Sequence, residues 1–124
     1  MKLAQAILFA KDVSRLRAFY EGVLGLTVIE ATPAGDWVRL DAGGANLALH
    51  AIPKGVAKKI AITDPPRARE QNPIKLAFHA DDPEAERARL VAQGVTMREV
   101  RRFAAVVYCD GLDPEGNVFQ VTNR

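Results

Sequence analysis

Apolar and polar positions alternate along this chain in two different rhythms. Leu3 to Ala10 is a short apolar run closed by Lys11 and Asp12. Its length and composition predict a strand buried on both faces. Asp12 then suits a helix N-cap, because its carboxylate can accept from the first unpaired backbone N–H groups. Val13, Leu16, Tyr20, Val23 and Leu24 follow at helical spacing, with Phe19 beside them, and Gly25 suits a helix stop. The predicted helix covers about 13–24. Three strand-like runs come next: Leu26–Thr32, Asp36–Asp41 and Ala45–Ile52. Pro33-Ala34-Gly35 and Gly43-Gly44 separate them with turn chemistry.

The second half repeats this plan. Ile74–Ala80 reads as a strand. Asp82 suits an N-cap, and Pro83 sits at the first helical position, where a missing N–H costs nothing. Glu84 and Glu86 favour the positive end of the helix dipole. Ala85, Ala88, Val91 and Ala92 predict a narrow apolar stripe on a helix near 83–93, ended by Gly94. Val95–Val100, Phe103–Cys109 and Asn117–Thr122 read as three strands, and Asp113-Pro114-Glu115-Gly116-Asn117 is a strong turn signal. Each half is therefore β-α-β-β-β. An offset of 70 residues lays Leu8–Asp12 over Phe78–Asp82. The expected organisation is one domain over 1–124. A first module covers about 1–52, a basic Pro-containing linker 53–72, and a second module 73–124. A connection this long is either a solvated linker or a loop that gates a site.

Composition narrows the functional classes. The chain has 124 residues, 48% of them hydrophobic and 26% charged, which is ordinary for a folded globular domain. Lys+Arg 17 against Asp+Glu 15 leaves +2, too balanced to argue for nucleic acid or an anionic membrane surface as partner. No apolar run approaches the roughly 20 residues of a membrane span, and the opening segment lacks a cleavage signal, so a cytoplasmic protein is expected. The single cysteine, Cys109, excludes an intrachain disulfide and a multi-thiolate zinc site. No nucleophile triad and no Gly-rich phosphate loop is readable.

The paired β-α-β-β-β plan carries two further marks: Phe19-Tyr20-Glu21-Gly22-Val23-Leu24-Gly25-Leu26 after the first strand, and Asp113-Pro114-Glu115-Gly116-Asn117 before the last. Together they resemble the vicinal oxygen chelate superfamily of glyoxalases, bleomycin-resistance proteins and extradiol dioxygenases. The resemblance implies an α+β fold in which two βαβββ modules form curved mixed sheets around a cavity, with helices outside, and a homodimer. It also implies four inward positions that hold a metal in metal-using relatives. In this sequence those positions are Gln5, Ala48, Lys75 and Gln120. Alanine has no donor atom, a protonated lysine has no lone pair, and two neutral amides bring no negative charge. No metal cofactor is expected there.

The same four positions then become polar, metal-free ligand-binding candidates. Lys75 is either an anchor for an anionic ligand or a partner of a neighbouring acid. Gln5 and Gln120 can each donate and accept. Strand alternation adds His50 and His79, histidine being the residue type that can change charge near neutrality, and the flat rings of Trp37 and Tyr108 suit a planar ligand. Arg98, Arg101 and Arg102 form a basic cluster that reads as a solvated hairpin or an anion site. Three functions are compatible with these residues. The first is a metal-independent binder of a small anionic or aromatic molecule. The second is a metal-dependent lyase, isomerase or dioxygenase using an atypical site at His50 and His79. The third is a metal-free enzyme or a structural or regulatory module with a closed cavity.

Overall fold

A computed structural model describes residues 1–124. Its elements are β1 (Gln5–Ala10), α1 (Val13–Arg17) continued by a π-helical turn (Ala18–Val23), β2 (Thr27–Ala31), β3 (Trp37–Asp41), β4 (Asn46–Ala51), α2 (Lys54–Ala57), β5 (Leu76–His79), α3 (Pro83–Ala92), β6 (Arg101–Phe103), β7 (Val106–Leu112) and β8 (Val118–Thr122). The chain divides into two compact units, Met1–Ala61 and Ile62–Arg124. Each holds one four-stranded mixed sheet, in the order β1-β4-β3-β2 in the first and β5-β8-β7-β6 in the second. The outer β1–β4 and β5–β8 pairs are parallel and the remaining pairs antiparallel. Neither sheet closes into a barrel. The architecture is α+β, as expected from the repeat. No helix is long and apolar enough to cross a membrane.

In the first unit, Asp12 caps α1 by accepting from Arg15 N at 3.0 Å. Val13, Leu16, Phe19 and Tyr20 are buried, as the helical spacing predicts. They cover the face of the sheet that carries Val38, Leu40, Leu47 and Leu49, all buried. Regular α geometry ends earlier than predicted: after Arg17 the chain widens into a π turn closed by Leu24 N donating to Phe19 O at 3.0 Å. β1 is not buried on both faces. It is an edge strand, and Ile7 and Phe9 stand 45% and 62% exposed on the side away from α1. An apolar run alone cannot distinguish an edge strand with one open face from a central one.

In the second unit, Asp82 caps α3 by accepting from Glu84 N and Ala85 N at 3.1 and 3.0 Å. The predicted Ala85-Ala88-Val91-Ala92 stripe faces outward. Pro83 and Leu90 are the buried residues of α3, which packs on β7 and β8 over Cys109, Phe119 and Val121. Alanines satisfy a helical pattern from either side, whereas Leu90 has the volume to fill the space over the sheet. The last hairpin is shifted. Val95–Val100 contributes only a bridge from Met97 to Gly111, β6 begins at Arg101, and β7 runs over Val106–Leu112. The hairpin turn falls at Ala104, which takes a positive φ of 51° without the glycine or asparagine that marks such turns in a sequence. The segment 53–72, read as a connection, contains α2.

The Asp113–Asn117 turn is buried and internally satisfied. Asp113 Oδ1 accepts from Glu115 N and Asn117 N, and Oδ2 accepts from Asn117 Nδ2 at 2.8 Å, so a fully buried carboxylate has donors on both oxygens. Gly116 has a positive φ of 78°. A Cβ there would lie 2.0 Å from the carbonyl oxygen of Arg67, while Gly116 O accepts from Arg69 N at 2.9 Å. Gly116→Ala therefore combines left-handed strain with a backbone clash, and is expected to lower unfolding free energy by about 2–5 kcal/mol in urea titration. Gly35→Ala, at a similar φ of 73° with open space around the Cβ, is expected to cost only about 1–2 kcal/mol. Equal losses for the two variants would show that the Arg67 contact contributes nothing.

Candidate functional site

Strand alternation gives each sheet a second face, opposite its helix. In the first unit that face carries Gln5, Ile7 and Phe9 from β1, Asn46, Ala48 and His50 from β4, and Trp37, Arg39 and Asp41 from β3. The register aligns them in rows. Phe9, His50 and Trp37 form one row, with ring centroids 5.8 Å apart for Phe9–His50 and 5.5 Å for Trp37–His50. Ile7, Ala48, Arg39 and Glu30 form the next, and Arg39 Nε lies 3.1 Å from Glu30 Oε2. That contact is an ion pair without hydrogen-bond alignment, since Arg39 Nε has no hydrogen-bond partner. Gln5, Asn46 and Asp41 form the third row, beside an open groove of about 660 Å³ that also takes in Leu3 and the Gly43-Gly44 turn. Gln5, Ala48, Trp37 and His50 thus share one face, and Ala48 is fully buried.

The second unit places Lys75, Gln120, Tyr108 and His79 on the corresponding side of its sheet, and adds a residue that the sequence reading passed over. Asp110 lies between Lys75 and Gln120. Its Oδ1 accepts from Lys75 Nζ and from Gln120 Nε2, both at 3.1 Å, and Arg98 Nη1 stands 3.9 Å from Oδ2. The Asp110 side chain is 18% exposed and that of Lys75 41%. Of the two roles open to Lys75, the geometry displays the pairing with a neighbouring acid. The signal for Asp110 was a carboxylate two residues from Tyr108 within an otherwise apolar strand, hence on the same face. His79 Nε2 lies 3.1 Å from the exposed Asp81. Tyr108 is half-buried and pairs in register with Thr122 and Arg101.

Two further groups are accounted for. Two of the three arginines of the basic cluster are matched: Arg98 pairs with Glu70, and Arg102 Nη2 lies 2.6 Å from Glu84 Oε1, while Arg101 stands exposed at the start of β6. Cys109 points to the other side of its sheet. It is buried, its Sγ lies 3.9 Å from Pro83 O, and desolvation pushes its thiol above the ordinary range against the opposing pull of Arg87. A thiol held protonated in the core is not a nucleophile at neutral pH.

The residues at the positions that hold metal in chelate-type relatives do not fit a divalent ion. Gln5 offers one amide oxygen and Ala48 nothing. Lys75 brings a cation, and both it and Gln120 are engaged by Asp110. No group of three or more His, Cys, Asp or Glu side chains stands close enough to hold an ion.

Repeat, sheet order and turn define a family. The chain belongs to the glyoxalase-like domain family, whose model matches residues 5–122. Solved structures share the fold across nearly the whole chain. A lactoylglutathione lyase from Agrobacterium tumefaciens is 24% identical with a TM-score of 0.72, covering 98% of this chain and 92% of its own. TnmS3, an antibiotic binding protein from Streptomyces sp. CB03234, is 20% identical with a TM-score of 0.66, covering 98% and 96%. A glyoxalase/bleomycin resistance protein from the same Streptomyces is 21% identical with a TM-score of 0.61, covering 94% and 98%. No curated protein sequence matches the chain.

Two outcomes follow from this geometry. A water-soluble maleimide is expected to leave Cys109 unlabelled in folded protein and to label it fully in urea; rapid labelling of the folded chain would contradict its burial. Asp110→Asn is expected to cost only about 0.5–1 kcal/mol, because Lys75 is partly solvated. It should also make the thermal midpoint more responsive to added sulfate than in the parent protein, by releasing the Lys75 charge.

Proposed function

We propose that this glyoxalase-like protein is a cytoplasmic, homodimeric binder of a small organic molecule and works without a metal ion. The observation that carries this reading is the replacement of a coordinating set by Gln5, Ala48, Lys75 and Gln120, with Lys75 and Gln120 both engaged by Asp110. Gln5 and Ala48 in the first unit offer a divalent ion one neutral amide, and Lys75 and Gln120 in the second offer an ammonium and another amide. The first unit meanwhile offers what an organic ligand uses: three adjacent rings and hydrogen-bonding side chains on an open sheet face. The shared fold with an antibiotic binding protein is consistent with such a role.

Three measurements test the reading. Elemental analysis after incubation with nickel, cobalt, zinc and ferrous ions and desalting is expected to find no retained metal. One ion held per chain would overturn metal independence and direct attention to His50 and His79. Thermal-shift screening with aromatic and charged compounds is expected to find stabilising ligands, since a compound at 100 times its Kd adds about 2.7 kcal/mol. A flat response across the panel would favour a structural module instead. Light scattering is expected to give twice the 13.5 kDa chain mass.

A further inference from the structure

The second unit opens with a segment, residues 62–73, that belongs to no strand or helix and precedes β5. Part of it is nevertheless fastened to the sheet. Gly116 O accepts from Arg69 N at 2.9 Å, and the missing Cβ of Gly116 leaves room for the Arg67 carbonyl. One residue further on, Glu70 Oε1 accepts from Arg98 Nη2. Arg98 is itself fixed at both ends of its backbone. Its N donates to Asp110 O at 2.8 Å, and its O accepts from Arg87 Nε at 2.7 Å. After Glu70 the chain folds back on itself: Asn72 N donates to Arg69 O at 3.1 Å, and Ile74 N to Asn72 Oδ1 at 3.2 Å. Residues 67–70 therefore run from the β7–β8 turn to Arg98.

Arg98 serves two acids. Nη2 holds Glu70, while Nη1 stands 3.9 Å from Asp110 Oδ2, and Asp110 also accepts from Lys75 and Gln120. Lys75 and Arg98 against Asp110 and Glu70 leave this group of four neutral. Without Glu70 it carries one positive charge. The two acids are not held alike. Asp110 is 18% exposed and has three groups around it, whereas Glu70 is 65% exposed and meets Arg98. An ion pair that exposed adds little to stability and exchanges readily.

We propose that Glu70 is an internal competitor for anions at Arg98, and that residues 70–73 form a strap that opens when an external oxyanion takes its place. Arg69, fastened to Gly116, is the hinge. Exchange replaces one charge-assisted hydrogen bond at the guanidinium by another of the same kind, and Lys75 supplies a second cation on the far side of Asp110. The contact is thus autoinhibitory: the chain's own carboxylate masks a cationic site until an oxyanion displaces it. All the contacts that carry this inference lie within the second unit, so it stands apart from the small-molecule reading above.

Amide hydrogen exchange followed residue by residue by NMR reads the strap directly, with inorganic sulfate as the probe and chloride at equal ionic strength as the screening control. Sulfate is expected to speed exchange at Asn72 and Ile74 by about threefold or more, the span of an exposed ion pair, and to leave Arg69 unchanged. Glu70→Gln is expected to give the faster rates without sulfate and to bind sulfate severalfold more tightly, read from the amide shifts of Arg98 and Asp110. Arg98→Gln is expected to give the faster rates and lose the sulfate response. Parent rates at Asn72 and Ile74 in Glu70→Gln would overturn the latch. Unchanged sulfate affinity in that variant would overturn the competition. Equal acceleration at Arg69 would overturn the hinge, and a parent-like sulfate response in Arg98→Gln would place the anion elsewhere and overturn the site.

Discussion

Each four-stranded sheet in this protein has one substantial helix to cover it, and a sheet has two faces. α1 and its π turn cover Val38, Leu40, Leu47 and Leu49 in the first unit, and α3 covers Cys109, Phe119 and Val121 in the second. Burial of those side chains supplies most of the favourable free energy available to units of this size. The same arrangement leaves a second face in each sheet without a helix. Strand alternation then sends every other residue there, whatever its chemistry. Phe9, His50, Trp37 and Arg39 in one unit, and Lys75, Tyr108, Asp110 and Gln120 in the other, owe their common placement to this constraint.

Electrostatic matching governs what those faces can do. Lys75 and Arg98 converge on Asp110, Arg98 also meets Glu70, and Arg39 meets Glu30. A partly buried carboxylate with two cations and an amide around it has its oxygens engaged and little capacity left for a metal. Neutralised cations do not draw anionic ligands strongly. Local pairing, and not the net charge of +2, therefore sets the charge that each of these faces presents.

Backbone geometry fixes the second unit as firmly as its core does. The Asp113–Asn117 turn satisfies its own buried carboxylate, and Gly116 lets the chain at Arg67 and Arg69 approach to hydrogen-bonding distance. Part of the segment that reads as a linker is thereby held on the turn. Proline content and basic charge in that segment conceal the contact, because it is made by backbone atoms of residues whose side chains say nothing about it.

Local signals determined the β-α-β-β-β repeat, the caps at Asp12 and Asp82 and the glycine turns. Each depends on residues within a few places of one another, or on side-chain chemistry alone. That Trp37 meets His50 came only from the register of β3 against β4. The sequence did not disclose that β1 is an edge strand, that the alanine stripe of α3 faces outward, or that Ala104 turns the last hairpin. Each of those depends on which element lies opposite, and an apolar run or an alanine fits several answers. Asp110 is the clearest case. Its neighbours in sequence, Cys109 and Gly111, face the other way, and its partners Lys75, Arg98 and Gln120 lie 35, 12 and 10 residues away along the chain. Sequence determined the supply of charged and aromatic groups; tertiary structure decided which charges cancel, because cancellation depends on distances that only the folded sheets create.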